Sequence, residues 1–176
     1  MKNMQVLGGV ALLILILVPT PARAQSTWVA AGDGVQFSDS GGIFVGYKPA
    51  RRLEYQFSSW NGDNANSAFG VGYPLGVGDK IRLGWTPGLA LVARTTENLG
   101  TNWQFSNRFE LGFRPKDNME AFFSWIHYSN GKEILNHNHG PNLGENFINV
   151  GFRVRWGGRK SRHGPPPPGF DRSGIR

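Results

Sequence analysis

The 176-residue sequence predicts an eight-stranded antiparallel transmembrane β-barrel, and three observations carry that expectation. Segments of alternating apolar and polar residues recur along most of the chain. The apolar positions are rich in aromatics, from a pool of 12 Phe, 6 Trp and 4 Tyr. The polar positions of the same segments carry opposite charges that can pair inside a narrow barrel. A soluble sandwich also alternates, but it buries its apolar face and leaves its charges to water.

Residues 1–24 read as a signal peptide in front of the fold. Lys2 supplies a short positive region, Val6 to Val18 is almost wholly apolar, and Pro19-Thr20-Pro21 breaks the run. Ala22-Arg23-Ala24 has the small-x-small form of a cleavage site, so the mature chain is expected to start at Gln25. The apolar run is short for a membrane-spanning helix. Export would permit disulfides, yet the chain has no Cys and therefore no disulfide framework.

Eight candidate strands follow in one domain, residues 25–156. They lie near Thr27–Phe37, Gly41–Lys48, Arg51–Trp60, Ser67–Val77, Lys80–Arg94, Thr101–Arg114, Met119–Ser129 and Glu145–Trp156. In the third, Leu53, Tyr55 and Phe57 oppose Arg52, Glu54 and Gln56. The sixth alternates most clearly. Trp103, Phe105, Phe109, Leu111 and Phe113 share one face, with Asn107 as its exception, while Arg108, Glu110 and Arg114 lie opposite. In the eighth, Ile148, Val150, Phe152, Val154 and Trp156 oppose Asn149, Gly151, Arg153 and Arg155.

Connection lengths set an orientation. Lys48–Arg51, Val77–Lys80 and Pro115–Asn118 are tight, whereas Asn61–Asn66, Thr95–Gly100 and Asn130–Gly144 are long and polar. Outer-membrane barrels have short periplasmic turns and longer outer loops, which places both termini in the periplasm. Residues 157–176, with Pro165 to Pro168, read as a disordered, basic, Pro-rich tail.

The formal charge of +7 is concentrated near the end of the chain. Arg153, Arg155, Arg159, Lys160, Arg162, Arg172 and Arg176 stand against Asp171 alone. A solvated segment or attraction to anionic headgroups accounts for this better than nucleic acid, which is not an expected partner of an exported chain. Outer-membrane lipids are expected neighbours, and a second copy of the chain is a candidate partner.

The seventh strand carries the chemistry. Ala121, Phe123 and Trp125 form its apolar face, and period two continues that face through His127 and Ser129. An imidazole and a hydroxyl on a lipid-facing wall are costly without a use. A serine hydrolase needs a nucleophilic hydroxyl, a nearby imidazole, a group that orients the imidazole, and oxyanion donors. Positions i and i+2 put His127 and Ser129 about 7 Å apart along the backbone, a gap two side chains can bridge. The plainer alternative is a His and a Ser at the rim touching headgroups.

His127-Tyr128-Ser129-Asn130-Gly131, followed by Pro141-Asn142-Leu143-Gly144-Glu145-Asn146 and a terminal aromatic strand, resembles the lipid A 3-O-deacylase (PagL) family. The resemblance implies an outer-membrane barrel that hydrolyses the ester-linked acyl chain at position 3 of lipid A, with lipopolysaccharide as substrate and no cofactor or metal. It implies Ser129 as nucleophile and His127 as general base, with Asn130 and the Gly131 amide as oxyanion candidates. The family pattern Pro-Asn-x-Gly-x-Glu places an acid where this chain has Asn146, and Glu145 comes one residue early. By parity Asn146 faces out beside His127 and Glu145 faces in. A β-bulge near Gly144 would turn Glu145 outward; otherwise Asn146 orients the imidazole, or the chemistry is lost. The competing readings are a non-catalytic structural or adhesive barrel and, more weakly, a small pore plugged by its own charges. His137-Asn138-His139 reads as a polar loop rather than a metal site, since two ligands alone are in view.

Overall fold

The computed structural model describes residues 25–36, 38, 40–49, 53–131 and 142–156. The expected signal peptide, the basic tail and His137-Asn138-His139 lie outside the described residues. Every regular element among the described residues is a strand. These are β1 (Gln25–Gly34), β2 (Gly41–Lys48), β3 (Glu54–Trp60), β4 (Asn66–Gly72), β5 (Leu75–Val77), β6 (Ile81–Val92), β7 (Trp103–Lys116), β8 (Met119–Ser129) and β9 (Glu145–Trp156).

All pairings are antiparallel, most of them between sequence neighbours, and β1 pairs with β9 from Gln25↔Trp156 to Gly34↔Phe147. The ring closes through β4 and β6. β4 and β5 form one barrel strand, because the register Gly72↔Gly88 runs without slip to Leu75↔Trp85. The break falls at Tyr73-Pro74, where Pro74 has no N–H to give, and Tyr73 N–H still reaches Pro87 O at 2.9 Å. The barrel therefore has eight staves, with the fourth divided.

Other boundaries also differ from expectation: β3 begins at Glu54, β6 ends at Val92 and β7 begins at Trp103, and two more have a clear local cause. The first strand stops at Gly34 instead of Phe37, which lies outside the described residues. Gly34 N–H bonds Ser40 O at 2.6 Å as the chain reverses, and Gln36 takes a positive φ of 64°. A Cβ on Gly34 would lie 2.2 Å from Ser38 O, so only glycine fits there. β7 continues past Arg114 to Lys116, and its register against β8 shifts between Phe113 and Lys116. That bulge accommodates Pro115, which cannot donate to the ladder.

The barrel is apolar outside and polar inside. Val150 and Phe152 are 64% and 59% exposed on the outer wall, whereas Arg108 and Glu120 are each 1% exposed in the lumen. No helix among the described residues is long and apolar enough to cross a membrane, and the strands themselves supply the lipid-facing surface.

The lumen is layered in a way charge alternation did not reveal. Its loop end holds Phe44, Trp60, Tyr128 and Phe147, with Trp60 and Tyr128 stacked at 5.6 Å. Its turn end holds a charge network. Arg153 bonds Glu110 at 2.5 Å and also meets Glu120, while Arg108 meets Glu54 at 2.5 Å. Glu120 additionally takes Arg82, Arg114 and Arg155 at 3.2, 3.2 and 2.7 Å. Four guanidiniums meet on this one buried carboxylate, and its loss leaves Arg114 and Arg155 with no ion-pair partner among the described residues and all four repelling one another more strongly. Glu120→Ala is expected to lower unfolding stability in micelles by about 3–5 kcal/mol, read as a shifted denaturant midpoint.

Candidate active site

β8 positions His127 and Ser129 by parity. Phe123 and Trp125 precede them on the outer wall at 47% and 37% exposure, and Phe122, Ser124, Ile126 and Tyr128 are buried in the lumen. The His127 ring stacks on Trp125 with centroids 5.7 Å apart and planes 22° from parallel. Trp125 stacks on Phe109 at 5.6 Å, and Phe109 on Trp85 at 6.0 Å. Stacked rings of this kind restrict the imidazole to one plane. Asn107, the polar exception on its strand, stands opposite His127 and accepts the Trp85 indole N–H at 3.2 Å.

On the other flank β9 places Asn146 in register with His127. His127 Nδ1 and Asn146 Oδ1 are 2.9 Å apart. An amide oxygen only accepts, so with this orientation Nδ1 carries the proton and Nε2 keeps its lone pair. The backbone beneath Asn146 is fixed on both sides, its N–H donating to Ser38 Oγ and its C=O accepting from Val35 N–H, each at 2.9 Å.

Glu145 pairs with Tyr128 and is fully buried on the lumen side of the wall. Gly144 takes φ +77°, and no turn of the chain brings Glu145 round to His127. Glu145 Oε1 instead accepts from Asn98 Nδ2 at 3.0 Å. Asn98 O also takes the Gly144 N–H at 3.1 Å, and Leu99, fully buried, bridges to Asn142. Glu145 thus ties the 93–102 connection to the base of the 130–144 connection.

Asn142 Oδ1 accepts the backbone N–H of Asn130 at 2.9 Å, and Asn130 is wholly buried. Gly131 turns at φ +67°, where a Cβ would meet the Phe105 ring at 2.4 Å. Ser129 stands opposite Phe105 and is partly exposed. Asn142, Asn98 and Ser38 complete this neighbourhood although the sequence reading gave them no part in it. Asn142 sits inside the quoted motif; the other two lie 47 and 108 residues from their β9 partners, with no local pattern to mark them.

Gly144 also bounds the imidazole, since a Cβ there would lie 2.7 Å from His127 Cε1. Gly144→Ala is therefore expected to push the ring off Asn146. A displacement of about 1 Å at a reacting group costs about 100-fold in rate, so turnover should fall by that order while the barrel still inserts.

Below His127 on the outer wall runs an apolar groove of about 660 Å³, lined by Val77, Leu83, Trp85, Phe109, Phe123 and Trp125. A hydroxyl, an imidazole and its amide partner thus sit at the top of an apolar groove on the outer wall. This arrangement suits attack on an ester whose acyl chain already lies in the membrane.

The family model for "Lipid A 3-O-deacylase (PagL)" matches residues 52–155. Among solved structures, the outer membrane enzyme PagL superposes with a TM-score of 0.55 at 18% identity, covering 73% of this chain and 98% of that one. The N-terminal β-barrel domain of Pseudomonas aeruginosa OprF gives a TM-score of 0.52 at 15% identity, covering 76% and 98%. At such identities the two structures speak for the fold alone. No curated protein matches the chain.

Proposed function

The chain belongs to the lipid A 3-O-deacylase (PagL) family, and from that premise we propose that it hydrolyses the ester at position 3 of lipid A by a serine mechanism. The observation that carries this reading is the row formed by Ser129, His127 and Asn146, two of them joined by the 2.9 Å contact, on the lipid-facing wall. Ser129 Oγ attacks the acyl carbonyl as His127 Nε2 takes its proton. The Gly131 N–H steadies the oxyanion, and the same imidazole returns the proton to the departing sugar hydroxyl. Water then hydrolyses the acyl-enzyme with His127 again as base. Asn146 holds the imidazole in its working tautomer, as an Asn does in Cys-His-Asn proteases.

The apolar groove receives the acyl chain by lateral movement within the membrane. Cleavage after Ala24 leaves Gln25, the first residue of β1, as the new N-terminus. The turn end of the barrel, with Gln25 and Trp156, faces the periplasm, so His127 and Ser129 lie at the level of the outer leaflet.

Mass spectrometry of lipid A from cells making the protein tests the proposal. The expected result is loss of one ester-linked acyl chain, with fragmentation placing the vacated hydroxyl at position 3. Intact lipid A beside a folded, inserted barrel would instead favour a barrel that kept the family shape without the chemistry. The amide at the register of the family acid is the observation on that side.

A further inference from the structure

The lumen's turn end is unbalanced in charge. Lys48, Arg82, Arg108, Arg114, Arg153 and Arg155 face only Glu54, Glu110 and Glu120 among the described residues. The eight ion pairs among the described residues all share those three carboxylates, and the Lys48 ammonium is in none of them, with Glu54 its attractive neighbour. Excess like charge inside a low-dielectric wall repels itself unless a counter-charge enters.

A cavity of about 270 Å³ opens where that counter-charge is needed, lined by Ser26, Lys48, Glu54, Arg82, Arg153 and Arg155. The arginines are prearranged around it. Glu110 and Glu120 fix the Arg82 guanidinium at 2.7 and 3.2 Å, and it lies over Gly76, where a Cβ would come within 2.4 Å of Nη1. Arg155, held by Glu120 at 2.7 Å, retains 31% side-chain exposure. Planar guanidinium donors beside an ammonium match a tetrahedral oxyanion.

We propose that this mouth is an anion site for a phosphate group, free or carried by a phospholipid headgroup. It lies at the opposite end of the barrel from Ser129 and stands independently of the deacylase reading.

The test is calorimetric titration of the full chain with inorganic phosphate, in maltoside micelles at pH 7 and at ionic strength matched with sodium chloride. Wild type should show saturable binding that chloride does not reproduce, and Lys48→Met should weaken it at least about tenfold, the loss of one charge-assisted contact. Arg155→Gln should weaken it likewise. Because Arg82, Arg153 and Arg155 surround Lys48 against the single carboxylate of Glu54, Lys48→Met without phosphate should unfold at a higher midpoint than wild type, whereas a given phosphate concentration should raise the midpoint of wild type more than that of the variant. Adding phosphatidylglycerol to the micelles separates the sources: displacement of phosphate assigns a headgroup, and undisturbed titration assigns free phosphate. Binding equal in chloride and phosphate, or equal in wild type and Lys48→Met, overturns the proposal. Lipid A deacylation by Lys48→Met should match wild type, so failure at this site leaves the reading of Ser129 untouched.

Discussion

Ser129→Ala is expected to leave lipid A fully acylated, with the rate of ester cleavage down by about 10⁴-fold or more. The size follows from the mechanism. Without the hydroxyl there is no acyl-enzyme, and water must attack an ester in an apolar setting with only binding and the oxyanion donor to help. His127→Asn should lose a comparable amount, since an amide cannot take the proton from Ser129. The double variant should be little worse than either single one, because nucleophile and base act as a unit. Additive losses would argue for two independent contributions and against one proton-transfer pair.

The folded state should scarcely notice these changes. Ser129 and His127 face outward, while the lumen is held by residues such as Arg108, Glu110, Glu120 and Arg153. Both variants are expected to insert and to resist unfolding as wild type does, so lost activity reads as lost chemistry. A mutant barrel that fails to assemble would mean that the rim residues are structural.

Parity made much of this legible. Period two on β8 and β9 put His127 and Asn146 on one face and Glu145 on the other, and the structure pairs them in that register. The expected spans Gly41–Lys48, Met119–Ser129 and Glu145–Trp156 coincide with β2, β8 and β9 because alternation there is unbroken. It failed where the backbone departs from a simple ladder. Pro74 divides a strand whose pattern reads through it, and Gln36 at positive φ belongs to a reversal that composition does not mark. The aromatic layer of Phe44, Trp60, Tyr128 and Phe147 was hidden for another reason. Parity places these residues inward, but nothing in a single strand shows that four staves bring their rings together. Asn98 and Ser38 reach β9 only once the barrel has closed.

Asn146→Ala is the second large effect, expected to lower kcat by about 10²–10⁴-fold with KM little changed. In the proposed mechanism the contact at 2.9 Å keeps the proton on Nδ1 and leaves Nε2 free. A ring without that partner samples the wrong tautomer and the wrong plane. Asn146→Glu should raise kcat above wild type, because a carboxylate also stabilises the imidazolium that forms as Ser129 gives up its proton, which a neutral amide does far less. Glu145 behaves differently. Its oxygen accepts from Asn98 on the lumen side, so Glu145→Ala removes a buried hydrogen bond and costs about 1–3 kcal/mol of stability, loosening the segment under Asn146. Glu145→Gln should restore most of that loss, since the amide oxygen still accepts from Asn98. Were Glu145 itself the group that orients His127, Gln would be nearly as inactive as Ala, and Asn146→Ala would be close to neutral. Steady-state kinetics on the four variants therefore decide between an amide that orients the base and an acid that reaches it from the far side of the wall.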